Sequence, residues 1–426
     1  MRRRSAVLLL LLLTALPRLV ALIYEGRSIL VDNVDKGDVF ARTFLETGTY
    51  GFIPGHPSAY TQPLYGWFLI PLYWIFGHHW LVVGLAQIAV ACGTTLIVWQ
   101  IGRRWLSPAA GVLAGAVVAV HPYLIWHDIH MNREILDHFL AAATVFLTLL
   151  ALERLAPWRL AALGAVLGLA ILGNVRLEAL PFVLLAYLFV ATRRFDVVGA
   201  VALLAAAAVV VMPWVARTRA DVGCWTVTTD ARALWKANNA NTLATLRSGQ
   251  WIDHVPQPAA FPPTPQDVYE RWLVDGVVQP YDECAQMSMF QRKVLSFWAN
   301  HPGEKARLAP IDAQWLWQPS VVEVTDRRGE GTWLDTMRSA AEPAYMIVLY
   351  VLGAVGLFLV PRRFAALALL LLSYQTATAV LFVGETRYRV PWDFLIGLLA
   401  SYAALRIRST WSELVSANRL RTSERS

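Results

Sequence analysis

The sequence is organised around long apolar segments, and these segments constrain the fold more than any other feature. A helix needs about 20 consecutive apolar residues to cross a bilayer, within a range of about 17–25. Ten segments reach or approach this length, namely Ala6–Ile23, Trp80–Ile101, Pro108–Ile125, Ile135–Leu152, Leu160–Leu172, Leu177–Ala191, Val197–Val215, Ala344–Val360, Phe364–Val383 and Trp392–Leu405. Only 16% of the 426 residues are charged, whereas soluble domains carry about 25%. These properties predict an all-α polytopic membrane protein with about ten transmembrane helices.

Arginines between the apolar segments indicate the orientation, because cytoplasmic loops carry an excess of Lys and Arg. With the N-terminus inside, the ten-span arrangement places the following arginines on the cytoplasmic side: Arg103, Arg104, Arg154, Arg159, Arg193, Arg194, Arg362, Arg363, Arg406 and Arg408. The apolar stretch Pro63–His79 is interpreted as a helix at the outer interface, since an eleventh span would invert every later loop. We therefore expect a multi-pass protein of the cytoplasmic (inner) membrane with both termini in the cytoplasm.

The N-terminus, with its basic start and apolar run, also has the pattern of a secretory signal peptide. The run continues past Pro17 and Arg18 to Tyr24 without a clean small-x-small cleavage site. We interpret it as an uncleaved first span.

The spans divide the chain into four parts. These are an N-terminal membrane module (1–215) with a first external loop (24–79), a mixed extracytoplasmic domain (216–343), C-terminal membrane helices (344–408) and a cytoplasmic tail (409–426). Within the external domain, Asp282–Pro302 has helical periodicity. Cys224 and Cys284 both fall in this domain, and an isolated cysteine pair in an oxidising compartment favours a disulfide. Two unpaired buried thiols are the alternative.

The formal net charge of +7 would suit a nucleic-acid-binding protein. Here, however, most arginines lie between apolar segments, where membrane orientation explains them. The sequence contains no Gly-rich phosphate loop, zinc-type cysteine pairing or nucleic-acid module. We therefore predict no nucleic-acid partner.

Polar residues gather at the outer ends of the spans. Four such clusters occur, namely Asp32, Asp35 and Asp38 in the first loop, His127–His138, Gly173–Glu178 and Gly384–Asp393. Each has a structural interpretation, such as the favourable charge of an acid in the first turn of a helix or an N-cap role for Asp38. The histidines of the second cluster are too irregularly spaced to favour a zinc site. One polar site explains four clusters in one plane better than four independent roles do.

Such a site suits a lipid-linked sugar phosphate, whose polyprenyl tail dissolves in the bilayer while its phosphate lies at headgroup level. Arginine binds phosphate bidentately and stays charged, so it stabilises the phosphate as it leaves. Little general-acid assistance is needed, since the leaving group is already an anion. A single carboxylate acting as the base for the acceptor contributes about 10²–10⁴-fold.

Several motifs resemble those of the GT-C glycosyltransferases, particularly the bacterial protein O-mannosyltransferase and aminoarabinose-transferase group. They are "ARTFLETGTYG", "HPSAYTQPLYGWFLIPLYWIFG", "NREILDHFL", "MPWVARTRADVGCW" and "ETRYRVPWDFLIGLLA", and they occur in order over most of the chain. The resemblance implies a GT-C-like fold, a polyprenyl-phosphate sugar donor, a lipid, glycan or protein acceptor, and inversion at the anomeric carbon. Two positions depart from it: Gly37 occupies the place of an aromatic residue, and Thr61–Gln62–Pro63 lacks a charged residue before proline.

These considerations assign roles on the outer face of the membrane. Asp35 is the first candidate for the catalytic base, followed by Asp32 and Asp38, and Glu134 would orient the acceptor or the base. Arg387 and Arg389 would hold the donor phosphate. The other substrate-binding candidates are Gln62, Tyr65, Arg133, Arg176 and Tyr388. This chemistry requires no metal or cofactor, although the Asp-x-x-Asp-x-x-Asp spacing leaves a divalent cation as an alternative.

Two other functions remain open from the sequence. A transporter or flippase of lipid-linked glycans predicts polar residues that continue along a helix interface through the membrane. A catalytically inactive membrane scaffold predicts a function that survives loss of the loop acids.

Overall fold

The structure is a computed structural model that describes residues 3–31, 34–194, 196–319 and 333–423. Helix accounts for 78% of it, and the described residues form no strand. The predicted all-α polytopic class is confirmed.

The N-terminal membrane module contains ten helices among its described residues. They are α1 (Arg3–Glu25), α2 (Lys36–Thr47), α3 (Pro63–Phe76), α4 (Trp80–Trp105), α5 (Pro108–Ala119), α6 (Pro122–His127), α7 (Glu134–Glu153), α8 (Pro157–Gly173), α9 (Leu180–Thr192) and α10 (Val197–Asp221). Four of them, α3, α5, α6 and α8, begin with proline, whose fixed φ suits the first helical position and whose missing N–H would be unpaired there anyway.

The external domain, in its described part, consists of helices joined by loops. Its helices are α11 (Arg232–Lys236), α12 (Thr242–Arg247), α13 (Pro265–Asp275), α14 (Glu283–Asn300) and α15 (Pro302–Trp317). The sequence predicts a mixed domain, and its described part contains helices and irregular loops without a strand. Cys224 and Cys284 form a disulfide with Cα atoms 5.8 Å apart, which joins the exit of α10 to the start of α14.

The C-terminal membrane helices complete the fold. They are α16 (Trp333–Leu359), α17 (Arg362–Leu381), α18 (Thr386–Arg389) and α19 (Asp393–Ser423). Helix α16 begins before the apolar segment that the sequence predicts at Ala344, and Pro343 lies within it.

Eight helices within the described residues are long and apolar enough to cross a membrane. Two of the predicted spans, the third and the fifth, are instead represented by the shorter apolar helices α5 and α8. Helix α3, predicted to lie at the interface, is also short. Together the eight long helices and the two short ones account for the ten predicted segments of this multi-pass membrane protein.

Small residues allow the spans to pack closely. A Cβ at Gly164 of α8 would overlap the carbonyl of Leu203 in α10, and one at Gly356 of α16 would overlap the carbonyl of Leu399 in α19. Close backbone approach of this kind drives helix association in lipid, where burial of apolar surface gives little force.

The external domain is fastened to the first loop. The Glu283 carboxylate, next to the disulfide, accepts hydrogen bonds from the Ala59 N–H (3.1 Å) and the Thr229 hydroxyl (2.8 Å). Arg217, near the end of α10, donates to the Ser58 carbonyl at 2.8 Å. The loop that carries the early acids is therefore held between the membrane module and the external domain.

Candidate active site

Asp35 is the N-cap of α2. Its Oδ1 accepts the Gly37 N–H at 2.7 Å, and its own N–H donates to the Met131 carbonyl at 2.8 Å. Position 37 needs glycine because a Cβ there would lie 2.9 Å from the backbone nitrogen of Gly66 in α3. This contact explains why the aromatic residue suggested by the family resemblance is missing here. The α2–α3 contact thus fixes the carboxylate beside the segment that leads into α7.

The environment of the Asp35 carboxyl favours a base. Asp35 is half-buried, and burial raises the pKa of its carboxyl above the usual range for aspartate. The Arg133 guanidinium and the Gly37 N–H oppose this shift, while the Glu134 carboxylate adds to it. Asp35 therefore lies within electrostatic reach of both residues that begin α7.

Asp38, one turn further along α2, has a different environment. It is buried and accepts hydrogen bonds from Tyr73 (2.6 Å), His78 (3.0 Å) and Arg42 (3.0 Å). Burial alone would raise its pKa, but the hydrogen bonds from His78 and Tyr73 and the Arg42 charge outweigh burial and leave the pKa lowered. These contacts make Asp38 a link between α2 and the end of α3. Asp32 lies outside the described residues.

The start of α7 brings a second group of charges to the same place. Glu134 is 8% exposed, and the charges of His127, Arg387 and Arg133 act on its carboxylate. Arg133 also donates to the Gly173 carbonyl at 3.1 Å, at the end of α8. We call Asp35 and Glu134 the acid side of the site.

Two further polar residues belong to this group, although the sequence did not single them out as site residues. Asp137 follows Glu134 by one helical turn on the same face of α7, and its Oδ2 accepts a hydrogen bond from the Asn174 amide at 3.2 Å. The spacing of Glu134 and Asp137 was the available signal.

Tyr388 and two arginines form the opposite side. The Arg176 Cζ lies 3.5 Å from the centre of the Tyr388 ring, and Arg176 also donates to the Val383 carbonyl at 3.4 Å. Arg387 donates to the Tyr388 hydroxyl at 2.8 Å and pairs with Glu385 at 2.6 Å. Two guanidinium groups therefore meet at one phenol ring. We call Arg176 and Arg387 the cation side.

Arg389 is two residues further on, but its side chain has no exposed surface. It forms two hydrogen bonds with Asp393, at 2.9 and 3.3 Å, and donates to the carbonyls of Leu316 (2.9 Å) and Gln318 (2.8 Å). The structure thus places it between α15 and α19, whereas 36% of the Arg387 side chain is exposed.

Tyr65 and Gln62 begin α3. The Tyr65 hydroxyl is buried and donates to the Gln87 side chain at 2.6 Å, and that amide in turn donates to the carbonyls of Asp128 and His130 at 2.8 Å. Tyr65 therefore supports the segment before α7. Gln62 is the N-cap of α3 without a side-chain capping bond, and it is half-buried.

The start of α7 thus links Asp35 of the first loop to Arg387 of the last turn. The charge of Arg387 acts on Glu134, and the charge of Arg133 acts on Asp35. Among the residues described here, no three or more His, Cys, Asp or Glu side chains are arranged to hold a metal ion. The divalent-cation alternative stays a prediction, since it depends on Asp32.

The fold is similar to that of the archaeal oligosaccharyltransferase AglB. Residues 55–216 match the family described as dolichyl-phosphate-mannose-protein mannosyltransferase. This region contains Arg133 and Glu134 but neither Asp35 nor Arg387. No curated protein sequence matches the chain.

Three solved structures are similar to the chain. The archaeal oligosaccharyltransferase AglB from Archaeoglobus fulgidus, in complex with an inhibitory peptide and a dolichol-phosphate, superposes with a TM-score of 0.53 at 14% identity, over 98% of this chain and 52% of AglB. The oligosaccharyltransferase of the same organism, tethered to an acceptor peptide, gives 0.56 at 14%, over 96% and 50%. ArnT from Cupriavidus metallidurans, bound to undecaprenyl phosphate, gives 0.47 at 15%, over 95% and 79%. The chain spans about half the length of the archaeal enzyme, and the likeness concerns the fold.

Proposed function

We propose that the protein is a glycosyltransferase that moves a sugar from a polyprenyl-phosphate donor to an acceptor at the outer face of the cytoplasmic membrane. The convergence of the acid side and the cation side at one place carries this proposal. Two findings support it: the matched family is described as dolichyl-phosphate-mannose-protein mannosyltransferase, and AglB, which has a similar fold, holds a dolichol-phosphate.

Asp35 acts as the base in this proposal. It is the described loop acid whose pKa is raised, and a base with a pKa nearer the operating pH removes a proton more effectively. Asp38 is less suited, since Tyr73, His78 and Arg42 occupy its carboxylate. The charge of Arg387 acts on Glu134, and the charge of Glu134 acts on Asp35. This intermediate position suits a residue that orients the acceptor.

The cation side binds the departing phosphate. Arg387 combines partial exposure with a position at the Tyr388 ring, and Arg176 contacts the same ring. Fixed guanidinium groups stabilise negative charge as it develops on the leaving phosphate without reorganising at the moment of reaction. Attack by the acceptor on the face opposite the phosphate inverts the anomeric carbon.

The acceptor is a lipid, glycan or protein hydroxyl or amide. An acceptor peptide occupies the archaeal oligosaccharyltransferase of similar fold, which supports including peptides among the candidates. No cofactor is assigned a role in this mechanism.

Two buried ion pairs lie among the membrane helices. Arg18 pairs with Asp128 at 2.8 Å, with both side chains almost fully buried, and Arg389 pairs with Asp393. The flippase alternative predicts polar residues that continue along a helix interface through the membrane, and two local pairs do not favour it.

The test is transfer by the purified full-length protein from radiolabelled polyprenyl-phosphate sugars to lipid, glycan and peptide acceptors. We expect transfer with an inverted anomeric product, and a loss of about 10²–10⁴-fold in Asp35→Asn. The acidic limb of kcat/KM should lie above about pH 4, the ordinary aspartate value, because the pKa of Asp35 is raised.

Asp253→Asn is the matched control, since Asp253 is an external-domain acid with 76% of its side chain exposed. It should behave as the wild type. Equal turnover in Asp35→Asn and the wild type would remove Asp35 from the mechanism. Absence of transfer from every polyprenyl-phosphate donor would refute the function.

A further inference from the structure

Helix α15 of the external domain contacts the segment that carries Arg387 at several points. The Lys305 ammonium donates to the Val380 carbonyl at 2.5 Å, before the turn. At the other end of α15, the Trp315 carbonyl accepts the Thr386 hydroxyl at 3.2 Å and the Leu316 carbonyl accepts Arg389. The last carbonyls of a helix carry partial negative charge, which favours the arginine there.

Asp312 lies between these two ends and contacts the turn itself. Its side chain is buried, and Oδ1 accepts a long hydrogen bond of 3.4 Å from the Gly384 N–H. A Cβ at Gly384 would overlap the Asp312 carbonyl, so the two backbones are in direct contact. Gly384 immediately precedes Glu385, the partner of Arg387.

Two cations face the Asp312 carboxyl. Lys305 lies on the same helix, about two turns earlier, with its ammonium 4.0 Å from the Asp312 Oδ2. The charge of Arg176, in the segment before α9, also acts on the Asp312 carboxyl. Lys305 is itself held by the Asn238 side chain at 2.6 Å. Asp312 thus joins the external domain to the turn before Arg387, and the charge of Arg176 reaches its carboxyl.

Burial raises the pKa of Asp312 to about 7, although Lys305, the Gly384 N–H and Arg176 oppose the shift. A carboxyl whose pKa is higher in the closed junction than in water binds its proton more tightly there. Ionisation therefore weakens the closed junction: the loosening develops as the pH rises from about 4, the ordinary aspartate value, to about 7, and is constant above that pH.

We propose that Asp312 is a positioning residue through which the external domain holds the Gly384–Arg387 turn, and hence the donor-phosphate side of the site, in its binding geometry. Lys305 is the second residue of this junction. The effect of this junction on donor binding rests on the proposed function, whereas the junction itself does not.

Hydrogen exchange of the full-length protein tests the junction without any substrate. In Asp312→Ala, the Gly384 N–H loses its acceptor and exchange in residues 380–389 should accelerate, on the order of tenfold. Asp312→Asn keeps an acceptor oxygen and should restore protection. In the wild type, exchange corrected for its intrinsic pH dependence should increase between about pH 5 and about pH 7 and stay constant above it, and Asp312→Asn should abolish this increase. Unchanged protection in Asp312→Ala would overturn the proposal.

Kinetics test the consequence. In Asp312→Ala, KM for the polyprenyl-phosphate sugar should rise on the order of tenfold while KM for the acceptor stays constant, and Asp312→Asn should recover the wild-type value. Lys305→Met is the second variant and should show the same selectivity for the donor. Asp253→Asn should change neither constant.

Together, the hydrogen-exchange and kinetic experiments distinguish failure of the proposed function from failure of the positioning role. Faster exchange in Asp312→Ala together with a wild type that transfers no sugar refutes the proposed function and leaves the junction in place. An active wild type whose donor KM is insensitive to Asp312→Ala refutes the positioning role.

Discussion

The acid side and the cation side of the site are built in different parts of the chain but share one arrangement. In each side, one member has a like-charged neighbour in the sequence that is enclosed by the protein, whereas the member itself is more open. Asp35 of the acid side is half-buried, and its neighbour Asp38 is enclosed. Arg387 of the cation side is partly exposed, and its neighbour Arg389 is enclosed. In both places the enclosed residue anchors the element that carries its like-charged neighbour. The sequence motif alone therefore does not show which of the two residues is structural.

The largest expected effect separates the two arginines. Arg389→Gln leaves Asp393 buried without its arginine partner, and breaking a buried pair in this way costs about 3–5 kcal/mol. Arg387→Gln removes a partly exposed charge, so stability should change less than in Arg389→Gln while KM for the donor rises. Thermal unfolding in detergent and donor kinetics measure the two effects.

A double change to Arg389→Gln with Asp393→Asn provides the control, because it removes both buried charges and should recover part of the lost stability. Equal stability of the two single arginine variants would break the distinction between an anchoring and a binding arginine.

A smaller effect separates the two aspartates. Asp38→Asn weakens three hydrogen bonds to a buried carboxylate and should destabilise the fold by about 1–3 kcal/mol, with turnover per folded molecule retained. The folded-state pKa of Asp38 is lowered, so its stabilisation is present above the unfolded pKa of about 4 and is lost as the pH falls through the folded value. The stability difference between wild type and variant should therefore shrink in acid.

Unfolding measured at neutral and acidic pH checks this prediction, with Asp35→Asn as the comparison. If Asp38→Asn abolished turnover while remaining fully folded, Asp38 would replace Asp35 as the candidate base.

The smallest effect concerns the link between the acid side and the external domain. Lys36, adjacent to Asp35, pairs with Asp230 at 3.0 Å, and about a third of its side chain is exposed. Partly exposed pairs contribute about 0.2–1 kcal/mol, so Lys36→Gln should barely change the unfolding temperature. A loss of stability as large as that of Arg389→Gln would show that this link is as essential as the buried pair.

Much of the fold was predictable because membrane insertion imposes a simple pattern. Apolar length located the spans, and the helical periodicity of Asp282–Pro302 corresponds to α14. The break of the third predicted span into α5 and α6 and the early start of α16 did not follow from apolar length, because the first depends on Pro122 and the second lies in polar sequence.

The partition of roles within the site could not be obtained from sequence. The partners that enclose Asp38 come from α3 and the loop after it, and those that enclose Arg389 include carbonyls of α15. Asp312 carried no signal, since nothing local relates an external-domain acid to a turn seventy residues later. Such contacts depend on tertiary packing, whereas the candidate acids and arginines themselves were visible as polar residues at the ends of apolar segments.

The late position of Arg387 in the chain has a consequence for biosynthesis. A ribosome that has produced the first nine helices has already delivered Asp35, Glu134 and Arg176 to the membrane, but Arg387 emerges only just before the final helix. A nascent chain therefore lacks one of the two arginines of the cation side until its last external turn is made. Release of a polypeptide that ends before this turn would leave the site without Arg387.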